Sequence, residues 1–329
     1  MPLLARLHRA LGWGALLTAC LATATLWLAV DRLWWLLPLG YGPRWPWLAL
    51  VAIALLTGGS WPRRLALTGL TALVVGWGLL GVRLPPIGGA EASRDTAIRV
   101  VMLNAAVREG AVREVLALAR DWDADLIAVV ECPRPSRGIE VPGYRSASAR
   151  EVCTWSRLDG EPEVLIAPSD PGRIGWSGTI AVWRHRGGNV PDIGVVHLRS
   201  VRNELSRFLD LSELPRQADS MAARHAKRIE GSRYASAWLL GREPRPAIVV
   251  GDFNLVVESP RFRADWGHWR DAFDAVGRGT GATWRSRWYG LRIDHVLSDA
   301  RWRATTARVG PHVGSDHRPV LVELVPRSE

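Results

Sequence analysis

Four apolar runs of strand length in this 329-residue sequence end in a side chain able to hold a cation or move a proton. They are VVMLN, ending at Asn104; LIAVVE, ending at Glu131; AIVVGDFN, carrying Asp252 and Asn254; and RIDHVLS, carrying Asp294 and His295. A fifth stretch, VGSDHRPV, sets Ser315, Asp316 and His317 just before a last apolar run. A strand in a layered sheet buries its middle, so polar groups at several strand ends can converge on one cleft. The chemistry these types suit is phosphate-ester hydrolysis. Glu131, with amide and carboxylate oxygens nearby, supplies the hard ligands that Mg²⁺ prefers, and Mn²⁺ accepts the same oxygens. Such an ion neutralises charge on a phosphoryl oxygen. A carboxylate such as Asp252 can orient or deprotonate the attacking water, and an imidazole such as His317 can protonate the leaving oxygen. A second carboxylate, such as Asp294, can orient that imidazole.

Taken singly these signals are weak, because an Asp after a strand often only caps a turn. His295 follows Asp294, and alternation along a strand turns it away from the site. His185, His225, His268 and His312 carry no motif and read as structural or solvent-facing.

The elements that must position these groups are legible from periodicity. Ile98–Asn104 and Asp125–Val130 read as strands, and Val112–Trp122, apolar at Val112, Val115, Leu116 and Ala119, reads as the helix between them. Thr179–Trp183 and Asp192–His197 read as strands around a Gly187-Gly188-Asn189 turn, followed by a long helix over Arg216–Leu240. Ala247–Val250, Ile293–Leu297, Arg303–Val309 and Val320–Leu324 complete the strands. Many strands with a few helices predict a layered α/β fold.

Residues 1–90 have a different composition, with seven Arg, one Asp and neither Glu nor Lys. Three apolar stretches, about 11–30, 45–61 and 65–82, predict three membrane spans. The Trp-rich piece Leu33–Tyr41 is too short to span and fits an interfacial position. Arg6, Arg9, Arg63 and Arg64 favour the cytoplasmic side, so the catalytic domain is expected on the outside of a multi-pass membrane protein. Leu17-Thr18-Ala19-Cys20 resembles a lipoprotein cleavage box, but the apolar run continues past Cys20. Residues 83–97 read as a linker and 98–326 as the soluble domain. That domain, with 35 basic and 31 acidic residues after position 90, is only mildly cationic, which permits phosphate or an anionic membrane and does not require nucleic acid. No Cys/His cluster suggests zinc. Cys132 and Cys153 could pair in an oxidising compartment, but two buried thiols are the plainer expectation.

In order along residues 97–326, LNAA, ADLIAVVE, VVHLRS, GDFN, RIDHVLS and GSDHRPV resemble the markers of the endonuclease/exonuclease/phosphatase (DNase I-like) superfamily. The resemblance implies a two-sheet α/β sandwich with its site at one edge. It implies Glu131 as main metal ligand with Asn104 and Asp316 beside it, Asp252 on the nucleophilic water, and Asn254 on the phosphate or metal. His317 would contact the scissile phosphate with Asp294 orienting it. His197 falls where members place a phosphate-contacting residue, a role Arg199 or Asn203 could share. Fused to three spans, the domain resembles bacterial proteins associated with glycopeptide resistance, which implies a lipid-linked, phosphorylated substrate met at the bilayer. A tethered nuclease, a lipid-headgroup phosphodiesterase and an inactive binding protein are the alternatives. Nothing in the sequence points to a protein partner.

Overall fold

The computed structural model describes residues 2–84, 97–168, 178–186, 190–202, 205 and 214–327. Helices α1 (Pro2–Leu28), α2 (Leu37–Tyr41), α3 (Leu48–Thr57) and α4 (Trp61–Leu73) come first, α4 running on as a π-helix over Val74–Leu79. Then follow β1 (Ile98–Asn104), α5 (Glu109–Asp121), β2 (Leu126–Val130), β3 (Arg145–Ala149), β4 (Val152–Ser156), β5 (Glu161–Ile166), β6 (Gly178–Arg186) and β7 (Ile193–Leu198). The chain continues with α6 (Leu214–Leu240), β8 (Ile248–Asp252), α7 (Pro260–Trp266), β9 (Arg270–Asp271) and α8 (Ala272–Val276). A short hairpin, β10 (Trp284–Arg285) and β11 (Gly290–Leu291), precedes β12 (Asp294–Ser298), β13 (Trp302–Val309) and β14 (Val320–Pro326).

Two six-stranded sheets result, in the orders β13-β14-β1-β2-β4-β3 and β5-β6-β7-β8-β12-β9. β1 and β2 are parallel, with α5 as the crossover, and β7 and β8 are parallel, with α6 in the connection. Alternation sorts the side chains into layers. On β1, Val100 and Met102 face the core between the sheets, where they meet Trp183, Val195, Val250 and Val296. Val101 and Leu103 face the other way, onto Val112, Val115 and Ala119 of α5. On β8, Val249 faces outward to Ala235 and Leu239 of α6. Each such fully buried Val or Leu contributes about 1.5–3 kcal/mol, so both registers are strongly specified: a one-residue slip would exchange core and helix-facing sets. The predicted α/β sandwich is therefore present.

The three predicted spans are not reproduced as such. Among the described residues, one helix, over Arg6–Leu28, is long and apolar enough to cross a bilayer. The stretch expected at 45–61 is helical only over Trp45–Thr57, because Gly58 and Gly59, the latter at φ +93°, end it. The stretch expected at 65–82 lies in α4 and its π-helical continuation to Leu79, and α4 carries Pro62, Arg63 and Arg64 in its first turn. Most of the 83–97 linker and the Gly187-Gly188-Asn189 turn lie outside the described residues.

The N-terminal helices are keyed to the sandwich by buried polar contacts. Arg228 on α6 pairs with Asp31 and donates to the Tyr41 hydroxyl (3.2 Å) and to the Asn254 carbonyl (3.3 Å). Tyr41 donates to Asp31 at 2.6 Å. Arg44 pairs with Glu258 at 3.2 Å and Arg83 with Asp274 at 2.7 Å.

Candidate active site

The alternation that sends Val250 and Val296 into the inter-sheet core does the same for Asp252 and Asp294 at the strand ends. The two stand directly opposite each other in the antiparallel β8–β12 register, and His197 stands beside Asp252 across the parallel β7–β8 pair. Gly251 allows this closeness. Its φ is +149°, and a Cβ there would lie 1.8 Å from the Val196 carbonyl oxygen. After Asp252 the chain turns sharply: Asp252 Oδ1 accepts from the Asn254 N–H at 2.9 Å, and Asn254 sits at φ +48° with its Nδ2 donating to the Leu198 carbonyl at 2.8 Å. Glu131 is likewise at positive φ, +47°, just beyond β2. Two non-glycine residues in a sparsely populated backbone region at one cleft is the pattern of a site held in place by its surroundings.

His317 reaches the cluster from the loop before β14. Its Nδ1 lies 2.8 Å from Asp294 Oδ2 and its Nε2 lies 3.9 Å from Asp252. Ser315 fixes that loop by donating to the Asn104 carbonyl at 2.7 Å and accepting from the His317 N–H at 3.1 Å. The Asn104 side chain donates to Glu131 at 3.1 Å and to Asp252 at 2.9 Å, while its oxygen accepts from the Ala106 N–H. In this arrangement Asn104 orients both carboxylates. Asp316 points to the same cleft and accepts from Arg202 (2.9 Å) and the Trp284 indole (3.1 Å). Asn203 lies outside the described residues, and Arg199 lines a neighbouring opening with Glu131 and His197.

One member of the constellation carried no sequence signal. Glu151, between β3 and β4, lies 2.8 Å from His197 Nδ1, and His197 Nε2 is 3.4 Å from Glu131. The imidazole thus bridges two carboxylates. The only trace in the sequence was an acid near two short strands, which is common. The Cys132–Cys153 bond, with Cα atoms 5.9 Å apart, ties the residue after Glu131 to β4, and Cys132 N–H donates to the Glu151 carbonyl at 2.8 Å. The expectation of two free thiols is therefore corrected. The β2–β4 pairing brings Cys153 opposite Val129, within reach of the turn after Val130, a proximity across 21 residues that composition does not reveal.

The electrostatics follow from burial and neighbours. Burial raises Asp252, and the facing Asp294 charge adds to it against His317 and His197, leaving the carboxyl at about 6. Burial alone would lower His317, but the charge of Asp294 and its hydrogen bond, with Asp252 and Asp316, outweigh it and raise the imidazole to about 9. His197 is likewise opposed by burial and raised to about 10 by its bonds to Glu131 and Glu151. The His197 bond in turn holds Glu131 down at about 2, against burial. At neutral pH both imidazoles are protonated, and Asp252 is ionised but close to accepting a proton.

These residues fit a hard divalent cation. Glu131, Asp252, Asn254 and Asp316 line one cleft, Glu131 is ionised, and the buried Asp294 Oδ1 has no hydrogen-bond partner among the described residues. Ligand atoms of Asp252, Asp294 and His317 lie within 4.8 Å of one another. His295, as alternation predicts, faces away: its Nδ1 is 2.6 Å from Asp271 and its Nε2 is 3.0 Å from the Leu255 carbonyl.

No curated protein matches the chain. Among solved structures it is similar to an endonuclease/exonuclease/phosphatase family protein from Bacteroides thetaiotaomicron, with 17% identity over 71% of this chain and 99% of that one and a TM-score of 0.49. It is also similar to a mannosyl-6-phosphatase from the same organism (16%, 69% and 99%, TM-score 0.48). A third similar structure is a 3'-5' exonuclease from Neisseria meningitidis (16%, 68% and 98%, TM-score 0.47). The model of the Endonuclease/Exonuclease/phosphatase family matches residues 103–317, which contain every site residue described above. The chain belongs to that family, whose members are hydrolases of phosphoester bonds and are typically divalent-metal dependent.

Proposed function

We propose that this protein is a membrane-anchored, Mg²⁺-dependent phosphoesterase that hydrolyses the phosphate ester or pyrophosphate of a lipid-linked substrate on the outer face of the membrane. The observation that carries this reading is the make-up of the cleft. A cavity of about 630 Å³ is lined both by Glu131, Asp252, Asp316 and His317 and by Pro38, Tyr41 and Pro43. The segment that carries those last three residues lies between the apolar helices α1 and α3. A phosphate held by the polar residues would thus share its cavity with apolar surface that belongs to the membrane segment. The Cys132–Cys153 bond supports an oxidising compartment, and the arginines at 6, 9, 63 and 64 support the same orientation. A multi-pass arrangement, with α3 and the α4 helix as further membrane segments, belongs to this proposal.

The residues would act as follows. Asp252 accepts the proton of the attacking water, and its carboxyl near 6 suits that role at neutral pH. His317, protonated and held by Asp294, donates to the phosphoryl or leaving oxygen. His197, whose two ring nitrogens face Glu151 and Glu131, places its positive charge beside the site and holds Glu131 ionised, and Asn254 fixes the turn that aims Asp252. Glu131 and Asp316, with Asn104 beside them, would hold the cation, which neutralises charge on the phosphoryl oxygen when bound.

A second reading has its own observation. Arg137, Arg150 and Arg199 line an opening of about 570 Å³ that shares Glu131 and His197 with the site, and a polyanionic strand would suit it. One assay separates the two. Full-length protein is offered a prenyl pyrophosphate, a phosphodiester lipid and duplex DNA, each with Mg²⁺ and with EDTA. Mg²⁺-dependent phosphate release from the first alone is expected. Cleavage of DNA alone would overturn the lipid assignment, and turnover undiminished by EDTA would remove the metal.

A further inference from the structure

Among the described residues beyond position 84, the exposed large hydrophobic ones are Val107, Ile166 and Trp288, and Trp288, at 74% exposure, is the most exposed of the three. A tryptophan left in water is costly in apolar surface, and this one is held there by construction. It sits in the turn between β10 and β11, where the Ser286 hydroxyl accepts from the N–H groups of Trp288 and Tyr289, at 3.2 Å each, and the Ser286 N–H donates to the Tyr289 carbonyl at 2.9 Å. The Arg287 guanidinium stacks over the Trp288 ring at 5.2 Å. Among the described residues, neither Arg285 nor Arg287 has a carboxylate partner, and the stretch from Trp284 to Arg292 contains no acid.

The tip does not face open water alone. Arg285, Arg287 and Trp288 share a concavity of about 320 Å³ with Trp45, Arg292 and the Arg44–Glu258 ion pair, in which the one carboxylate of the lining is matched by Arg44. Trp45 is itself 58% exposed and opens the apolar helical stretch Trp45–Thr57. Two exposed indoles from distant parts of the chain therefore line one concavity with the guanidinium groups of Arg285 and Arg287, at the start of an apolar helix. Indole rings favour the level of lipid headgroups, and guanidinium groups there attract anionic lipid.

We propose that this concavity seats the headgroup of an anionic phospholipid, with Trp288 and Trp45 inserted at the headgroup level as a second foothold beside the N-terminal helices. The foothold is coupled to the site. At the root of the hairpin the Arg285 N–H donates to the Asp316 carbonyl at 3.0 Å, and Trp284 is paired with His317. Tyr289 and Leu291 line both this concavity and the cleft. A hairpin fixed at the membrane surface thereby fixes the height and tilt of the cleft above it.

The inference rests on the membrane placement of the N-terminal segment and is independent of which ester is hydrolysed. It is tested in full-length protein carrying Cys20→Ser, leaving no reactive thiol beside the Cys132–Cys153 bond. A single environment-sensitive fluorophore is placed through Trp288→Cys, and in separate proteins through Trp13→Cys in the apolar helix and Arg120→Cys in the last turn of α5, beside the start of β2 and so at the opposite end of that strand from Glu131. The proteins are reconstituted in nanodiscs of phosphatidylcholine, with or without phosphatidylglycerol, containing headgroup-level spin-labelled lipid. The label at 288 is expected to shift to the blue and to be quenched, more strongly with phosphatidylglycerol, and Arg285→Glu with Arg287→Glu should abolish that increment. The label at 120 should remain unquenched. A label at 288 that behaves like the one at 120, while the one at 13 is quenched, overturns the foothold and leaves the membrane anchor standing. An unquenched label at 13 overturns both. Equal quenching at 288 with and without phosphatidylglycerol overturns the anionic headgroup assignment.

Discussion

The strand β12 presents two consecutive residues to two different histidine–aspartate pairs. Asp294 faces the cleft and holds His317 at 2.8 Å, while His295 faces the opposite layer and is held by Asp271 at 2.6 Å. The pairs have the same chemistry and nearly the same geometry, and what surrounds them differs. Asp271 also receives Arg292 at 2.8 Å, so although burial pushes its carboxyl up, the guanidinium and imidazole pull it well below the ordinary carboxylate range. His295 finds a second acceptor in the Leu255 carbonyl, and its ring packs against Phe253 and Phe262 at 5.4 and 4.6 Å. On the cleft side, Asp294 and Asp252 face each other, one buried oxygen of Asp294 has no partner among the described residues, and Asp252 is left at about 6. A compensated pair holds the fold. An uncompensated one stores charge that a substrate or cation can relieve.

The largest effect should come from breaking the cleft pair. Asp252→Asn is expected to lower turnover about 10²–10⁴-fold in a protein that stays folded, whereas His295→Ala should leave turnover per folded molecule of the same order. Equal losses in steady-state rates corrected for folded fraction would erase the distinction. Stability should respond in the opposite sense. Removing Arg292 as Arg292→Met strands Asp271 and should cost about 3–5 kcal/mol in urea unfolding, while Asp252→Asn, measured without added metal, should gain on the order of 1–3 kcal/mol.

A smaller change is expected at Glu151, which touches the chemistry only through His197. Glu151→Gln should lower turnover about 10–100-fold and shift the alkaline limb of the rate profile to lower pH, since His197 loses one of the two bonds that hold its proton up to about 10 and then releases it before His317 does. An unmoved limb would reduce Glu151 to a packing role.

The pH dependence is the gentlest probe. Activity should fall as pH drops through about 6, where Asp252 takes up a proton, and fall again as pH rises through about 9, where His317 releases one. Stability contributions from the two aspartates run in opposite directions. Asp252 titrates higher when folded than its ordinary 3.8, so its share of stability rises as pH falls from about 6 toward that value. Asp271 titrates lower when folded, so its share is present above the ordinary carboxylate range and is lost as pH falls below it. Thermal unfolding scanned across acid pH in wild type and Asp252→Asn separates the two.

What the sequence made legible was whatever is local. The run Ile98–Asn104 is a strand residue for residue, because every position except Arg99 is buried. Asp294 and His295 were assigned to opposite faces on alternation alone, and their partners lie on those faces. Glu151 was invisible because its role depends on β4 bringing it to His197, a contact that no local pattern encodes. The disulfide was left open for the same reason. The three-span reading rests on hydropathy alone; among the described residues one helix has the length and composition of a span, and Gly58 and Gly59 end the second apolar stretch at Thr57. The piece Leu33–Tyr41 was placed at an interface, but its role as a wall of the cleft required α6 to meet Asp31 and Tyr41 through Arg228.

The wall formed by Pro38, Tyr41 and Pro43 has a practical consequence for inhibitor discovery. A soluble fragment beginning at Ile98 would keep every polar group of the constellation and still offer a different binding surface, open to water on one flank. Compounds selected against such a fragment would be ranked by their fit to phosphate-recognising groups alone. Their selectivity over relatives that share those groups would have to come from the flank that the fragment lacks.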